Sequence, residues 1–396
     1  MARFLFAWEL GDNYGHLTTF NSIAIELANR GHDVYVAAQN LTSAAAFFPH
    51  GTVKLLQSPL AMRDVTAASN GLFSYAQVIE GFGFQNVDQL CQVVSAWQAL
   101  YWHTKPDVVI LNAPATSLLA ARTRDFALAT IGTGYDCPPR TVPMPWFSSH
   151  KGDERVVAAQ EHKVLGVINQ TMQRLQLPEL QALRDMLAVD REFLTTFKEL
   201  DHFPQRKGGN YCGAQFSLTS GEEVAWPASG GRRIFVYVRP ESQHFDPLLS
   251  VLRHVPARVI VSSPGISDRE RQALVAPNIR IRSWSVRLER IRAECDLAIS
   301  AGGHGTIAAF LHGGVPMVLL PNHHEQLMVA RAAVATGSVI MPEPGQMVAL
   351  PQMIQDGLNE SRLRTFAKAF AEKYRDFHPL EQTVRIAEEL EQMPIR

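Results

Sequence analysis

Two hydrophobic periods alternate along this chain. Residues 4–8 form an unbroken apolar run, and a polar stretch punctuated by glycine follows at 11–15. Phe20, Ile23, Ala24 and Leu27 then recur at three- and four-residue spacing, the stripe of a helix packed on a sheet. Arg30-Gly31-His32 closes that helix with a glycine, and residues 34–37 return to a continuous apolar run. Strands that do not alternate with polar residues are buried on both faces. Strand, helix, strand repeated in this way therefore predicts an α/β protein with a parallel sheet covered on each side.

The pattern continues with less regularity. Residues 61–104, rich in Phe, Tyr, Gln and Trp, predict helix interrupted at Gly81 and Gly83, and 107–111 is a buried strand. Four prolines (Pro138, Pro139, Pro143, Pro145) make 132–146 an irregular loop. Helices are expected over 153–195, and 210–213 reads as the last strand of a first domain. Composition then shifts to Ser, Gly, Glu and Pro, ending in Ser229-Gly230-Gly231, as a linker would. A second apolar series follows at 234–238, 258–261, 279–281, 297–301 and 317–320, and a charged helical segment begins near residue 363. A chain of 396 residues is too long for one ordinary core. The expected division is a first domain over 1–216, a linker over 217–231, a second domain over 232–377 and a closing helix over 378–396.

Hydrophobic residues at 46% and charged residues at 19% exclude extended disorder. A net charge of -1 gives no electrostatic footprint for nucleic acid. Cys91, Cys137, Cys212 and Cys295 are isolated from one another, so neither a zinc site nor a disulfide framework is implied. Reduced thiols in a cytoplasmic protein are the expectation. The apolar N-terminus soon meets Glu9 and Asp12, too early for a signal peptide, and no apolar run is long enough to span a bilayer. No metal site is expected. His323 and His324 are neighbours, which rarely converge on one ion, and Asp-x-Asp does not occur.

Chemistry concentrates in residues 296–337, which read as strand, glycine turn, helix, glycine turn, strand, polar loop and helix. Gly302 and Gly303 permit a sharp turn and close approach of backbone N–H groups to a ligand. Thr306 is placed to open the following helix, whose positive end suits a diphosphate. A Gly-Gly turn alone is common among α/β proteins. The whole stretch is more specific: Gly302-Gly303, Gly305-Thr306, Gly314-Val315-Pro316 and Glu325-Gln326 resemble the donor-binding signature of the UDP-glycosyltransferases. Upstream, 278–284 resembles the family's segment ending in a base-stacking tryptophan. Gly15-His16 and 30–34 match its opening, and 199–201 with 211–213 fall where the family ends its first domain. The resemblance runs in order along nearly the whole chain.

That resemblance implies the GT-B fold, two facing Rossmann-like domains with parallel sheets. The acceptor would sit mostly on the first domain and the nucleotide sugar on the second, with the last helix returning to the first. It makes His16 the general base. Relatives orient this histidine with an aspartate where this chain has Asn112, which can hydrogen-bond but cannot supply charge; Asp12, in the same loop as His16, is the alternative carboxylate. Glu325 and Gln326 would bind sugar hydroxyls, and Trp284 the base, although Ser285-Val286-Arg287 replaces the family's Pro-Gln. His304 would be a turn residue beside the phosphates. The family's phosphate-binding histidine is Ala301 here, and Arg239, ending the first strand of the second domain, is expected on the same edge as Gly302 and Gly303 to grip phosphate in its place. The expected activity is inverting, metal-independent transfer from a nucleotide sugar, UDP-sugar foremost, to a hydroxyl of a small-molecule or lipid-like acceptor. The nucleotide sugar is a co-substrate, and no bound cofactor is expected. A nucleotide-sugar epimerase or hydrolase, or a silent binding protein with Ala301 and Asn112 as its motive, are the alternatives.

Overall fold

The computed structural model describes residues 1–10, 15–60, 74–147, 153–228, 230–343 and 346–394. The chain divides into two compact units, one of Met1–Thr196, Gln205–Gln215 and His378–Arg396, the other of Phe197–Pro204 and Phe216–Phe377.

The first unit holds six strands: β1 (Arg3–Trp8), β2 (Asp33–Ala38), β3 (Lys54–Gln57), β4 (Val108–Asn112), β5 (Ala127–Gly132) and β6 (Arg191–Leu194). They pair in parallel in the order β3-β2-β1-β4-β5-β6. The apolar stripe Phe20, Ile23, Ala24 and Leu27 of the helix Gly15–Asn29 packs on Phe4, Phe6 and Ile110 of this sheet. Ile386, Ala387 and Leu390, from the helix Pro379–Glu391, complete the same core.

The second unit repeats the plan with β7 (Arg232–Tyr237), β8 (Ala257–Ser262), β9 (Ile279–Arg282), β10 (Leu297–Ser300), β11 (Met317–Leu319) and β12 (Val339–Ile340). Its order, β12-β11-β10-β7-β8-β9, is that of the first sheet read from the other edge. Both are doubly wound Rossmann sheets. Strand order reverses between β1 and β4 and between β7 and β10, and such switch points open a crevice at the carboxyl ends of the strands. The last paired residues there are Trp8 with Asn112 and Tyr237 with Ser300.

Several elements depart from expectation. Helix fills Glu154–Arg174, but Gln176 turns left-handed at φ 57, and the sheet's edge strand is Arg191–Leu194. Residues 210–213 contribute a single bridge, Leu194 to Tyr211, and not a strand. An edge strand opening with the exposed side chains of Arg191 and the half-buried Glu192 shows no apolar run. Phe197–Pro204 belongs to the second unit, where the Phe197 ring packs among His312, Phe370, Tyr374 and Phe377. Residues 218–222 lie against that unit as well: Glu222 N–H donates to Ser285 O at 2.9 Å, and Glu289 N–H to Leu218 O at 3.0 Å. The helix His304–His312 is capped by Gly303, so Thr306 lies in its first turn and does not open it. Among the described residues no helix is long and apolar enough to cross a membrane. All four cysteines are free and buried.

Candidate active site

In the first unit, His16 is the second residue of the helix Gly15–Asn29. Asn112 is the last residue of β4 and is fully buried. Its Nδ2 donates to Ile131 O at 2.8 Å, which turns Oδ1 towards His16 Nδ1, also at 2.8 Å. An acceptor at that distance requires the proton on Nδ1 and leaves the Nε2 lone pair available to take a proton. Trp8 stacks on the imidazole at 5.5 Å and 20°. Asp136, which sequence reasoning missed, places Oδ1 3.7 Å from His16 Nδ1. Its Oδ2 accepts from Thr133 N at 2.9 Å and Thr133 Oγ1 at 3.0 Å. Gly132 makes room for it, since a Cβ there would stand 2.5 Å from the Asp136 Cβ. Asp12 lies outside the described residues.

A buried carboxyl group holds this edge together. Glu9, 4% exposed, accepts hydrogen bonds from Ala115 N, Thr116 N, Thr116 Oγ1, Ser117 N and Ser117 Oγ at 2.5–3.0 Å. Ala113 turns the chain from β4 into this segment in the left-handed region at φ 44, and its carbonyl accepts from Leu10 N at 3.1 Å. Gln39 Nε2 donates to Glu9 O at 2.6 Å. The ends of β1 and β4, which carry Trp8 and Asn112, are thereby fixed to each other. The sequence offered one signal of this, a lone acidic residue directly after a buried strand.

In the second unit, Gly302 has φ +90, and a Cβ on it would meet Gln326 O at 3.4 Å. The turn after β10 thus lies against the start of the helix His324–Ala335. Gln326 Oε1 accepts from Asn322 N at 2.9 Å, and Asn322 Oδ1 accepts from Ser242 Oγ at 2.8 Å. His304 and Gly305 begin the helix that follows Gly303. Burial, and secondarily the neighbouring His202, push the His304 imidazole down to about 3. It is therefore an uncharged ring at ordinary pH and supplies no cation. His202, also absent from the sequence reading, stacks on His304 at 6.0 Å and 21°. Glu325 stands between two histidines, with His202 Nε2 3.8 Å from one oxygen and His323 Nδ1 3.8 Å from the other. Trp284 is 69% exposed, and its carbonyl accepts from Ser262 Oγ at 3.0 Å. Exposed Arg239 follows Tyr237 by two residues as Gly302 follows Ser300, and Tyr237 pairs with Ser300. Arg239 and the glycine turn accordingly share one sheet edge. Among the described residues no group of three or more His, Cys, Asp or Glu is placed to hold a metal ion.

Solved structures share this architecture. The glycotransferase of kitacinnamycin superposes with a TM-score of 0.72 at 16% identity, covering 99% of both chains. The calicheamicin glycosyltransferase CalG4 gives 0.71 at 16% identity, over 98% of this chain and 97% of its own. Residues 265–377 match the glycosyltransferase family 28 C-terminal domain. The chain is a GT-B glycosyltransferase. Over 356 residues this glycosyltransferase is 25% identical to the zeaxanthin glucosyltransferase of Pseudescherichia vulneris, with 82% of each chain covered. The family 28 match includes Trp284, the glycine turn, Glu325 and Gln326; Arg239 and His202 of the glycosyltransferase precede it.

Proposed function

We propose that this glycosyltransferase moves a sugar from a nucleoside diphosphate donor, UDP-sugar foremost, to a hydroxyl of an apolar small molecule, with inversion and without a metal ion. The observation that carries the reading is the His16–Asn112 hydrogen bond, which leaves Nε2 as an available base. The acceptor oxygen attacks the anomeric carbon as Nε2 takes its proton, and the carbon–oxygen bond to the diphosphate breaks with its electron pair leaving on phosphate. A single displacement of this kind inverts the anomeric centre. Charge on the departing diphosphate is met by the glycine-turn amides, the helix N-terminus at His304 and Arg239. Trp284 offers its exposed face to the base, and Glu325 and the free amide of Gln326 read sugar hydroxyls. The zeaxanthin glucosyltransferase relative makes zeaxanthin the first acceptor to try.

The test is product analysis after incubation with UDP-glucose and zeaxanthin, then with a set of phenols and macrolides, each with and without EDTA. Formation of a β-glucoside that persists in EDTA is expected. Free glucose or an epimerised nucleotide sugar appearing without any acceptor would instead make the protein a hydrolase or epimerase. Activity lost in EDTA and restored by Mn²⁺ or Mg²⁺ would overturn metal independence.

Arg239 gives a separate prediction. Hydrogen bonds to charged groups contribute about 1.5–3 kcal/mol, so Arg239→Ala should weaken UDP binding by roughly 10- to 100-fold. Arg239→Lys keeps the charge but loses the planar fork, and should recover part of that loss. Titration calorimetry with UDP measures both. Parent-like affinity in Arg239→Ala removes this residue from the donor site.

A further inference from the structure

Asn112 cannot supply the charge that a protonated His16 needs, and its amide makes a hydrogen bond that a carboxylate cannot make. Its Nδ2 donates to Ile131 O at 2.8 Å inside a fully buried pocket. A carboxylate at residue 112 would set a second oxygen against that carbonyl with no proton between them. The amide therefore donates to Ile131 O and accepts from His16 Nδ1–H, which fixes both its own orientation and the tautomer of His16.

A carboxylate nevertheless reaches the ring from another loop. Asp136 follows β5, and its side chain is 9% exposed while that of His16 is 20% exposed. Thr133 holds Oδ2 through both its amide and its hydroxyl, which points Oδ1 at His16 Nδ1 across 3.7 Å. The glycine at 132 is required by the same carboxylate, because any Cβ there would overlap the Asp136 side chain. Two hydrogen bonds to Oδ2 and the lack of a Cβ at residue 132 thus set the orientation of this carboxylate. Among the described residues, Trp8 from β1, Asn112 from β4 and Asp136 from the loop after β5 face the imidazole. Among the described residues Asp136 is the charged one; Asp12 precedes His16 in residues 11–14, outside them.

We infer that Asp136 is a positioning residue for His16, the carboxylate that stabilises the ring as it takes up the acceptor proton, with Asn112 setting the tautomer. The orienting and charge-supplying roles are divided between the last residue of β4 and a residue of the loop after β5. This rests on His16 being the base.

The experiment measures steady-state turnover and KM of the full chain with UDP-glucose and the best acceptor found. A carboxylate that supports the ring acts in the proton-transfer step, so Asp136→Asn should lower turnover about 10-fold while KM for the donor stays unchanged. Asp136→Ser retains an oxygen for the Thr133 amide and removes the charge, and should give the same loss, so a folding defect in one variant does not decide the matter. In a His16→Gln background Asp136→Asn should cost nothing further, because its action runs through the ring. Turnover within about twofold of the parent in both single variants, or a further loss of about 10-fold on top of His16→Gln, overturns the inference. If turnover survives His16→Gln itself, the base reading fails, and the role of Asp136 with it.

Discussion

His16→Ala should lower turnover by about 10²–10⁴, the usual contribution of a positioned general base. Affinity for UDP should stay near that of the parent. The two readouts separate because the histidine and its partners Trp8, Asn112 and Asp136 all belong to the first unit. The glycine turn, Trp284 and Arg239 belong to the second. Steady-state turnover on an identified acceptor, beside titration calorimetry with UDP, measures the pair. A drop in turnover with intact UDP binding supports proton transfer at Nε2. Near-parental turnover moves the base elsewhere, with Asp12 next in line.

The largest effect on stability is expected at Glu9. Five donors converge on one carboxyl group that is almost wholly removed from water. Glu9→Ala leaves those amides and hydroxyls without an acceptor, and each buried unsatisfied group costs about 1–3 kcal/mol. Even if most of them rearrange to reach one another or water, a loss of about 3 kcal/mol is expected. For a unit of this size, that lowers the melting temperature by roughly 6–12 °C. Glu9→Gln should fall between Ala and the parent, because its amide brings one oxygen and two further donors to a site already full of donors. Thermal unfolding followed by circular dichroism reads the series. A Glu9→Ala variant melting within about 2 °C of the parent would show that the network adds nothing net.

The parallel strands were legible because burial on both faces writes itself as a continuous apolar run. Phe4–Trp8 and the Val-Val-Ile-Leu segment of β4 are visible for that reason. The glycine turn was legible because φ +90 at Gly302 restricts what can stand there. What stayed hidden depends on contacts between distant residues. Asp136 sits in a proline-rich loop 120 residues from His16, and no local period marks it. His202 and Glu325 are likewise far apart in sequence, and stacking of two imidazoles has no composition of its own. The edge strand Arg191–Leu194 escaped because half of its side chains face solvent. The motif resemblance located Asn112 and His16, but the orientation of the amide comes from Ile131 O, a backbone atom that no side-chain pattern encodes.

The chain passes between its two units four times, at 196/197, 204/205, 215/216 and 377/378. Recombination at the polar stretch near residue 217 would not exchange intact modules between related genes. A new C-terminal half would arrive with its own last helix, and the host's first sheet would lose Ile386, Ala387 and Leu390 from its core. The Phe197 ring would stay behind, severed from the cluster of Phe370, Tyr374 and Phe377 that it packs against. A laboratory chimera needs four junctions, which keep 197–204 with the incoming 216–377 and leave 205–215 and 378–396 with the host.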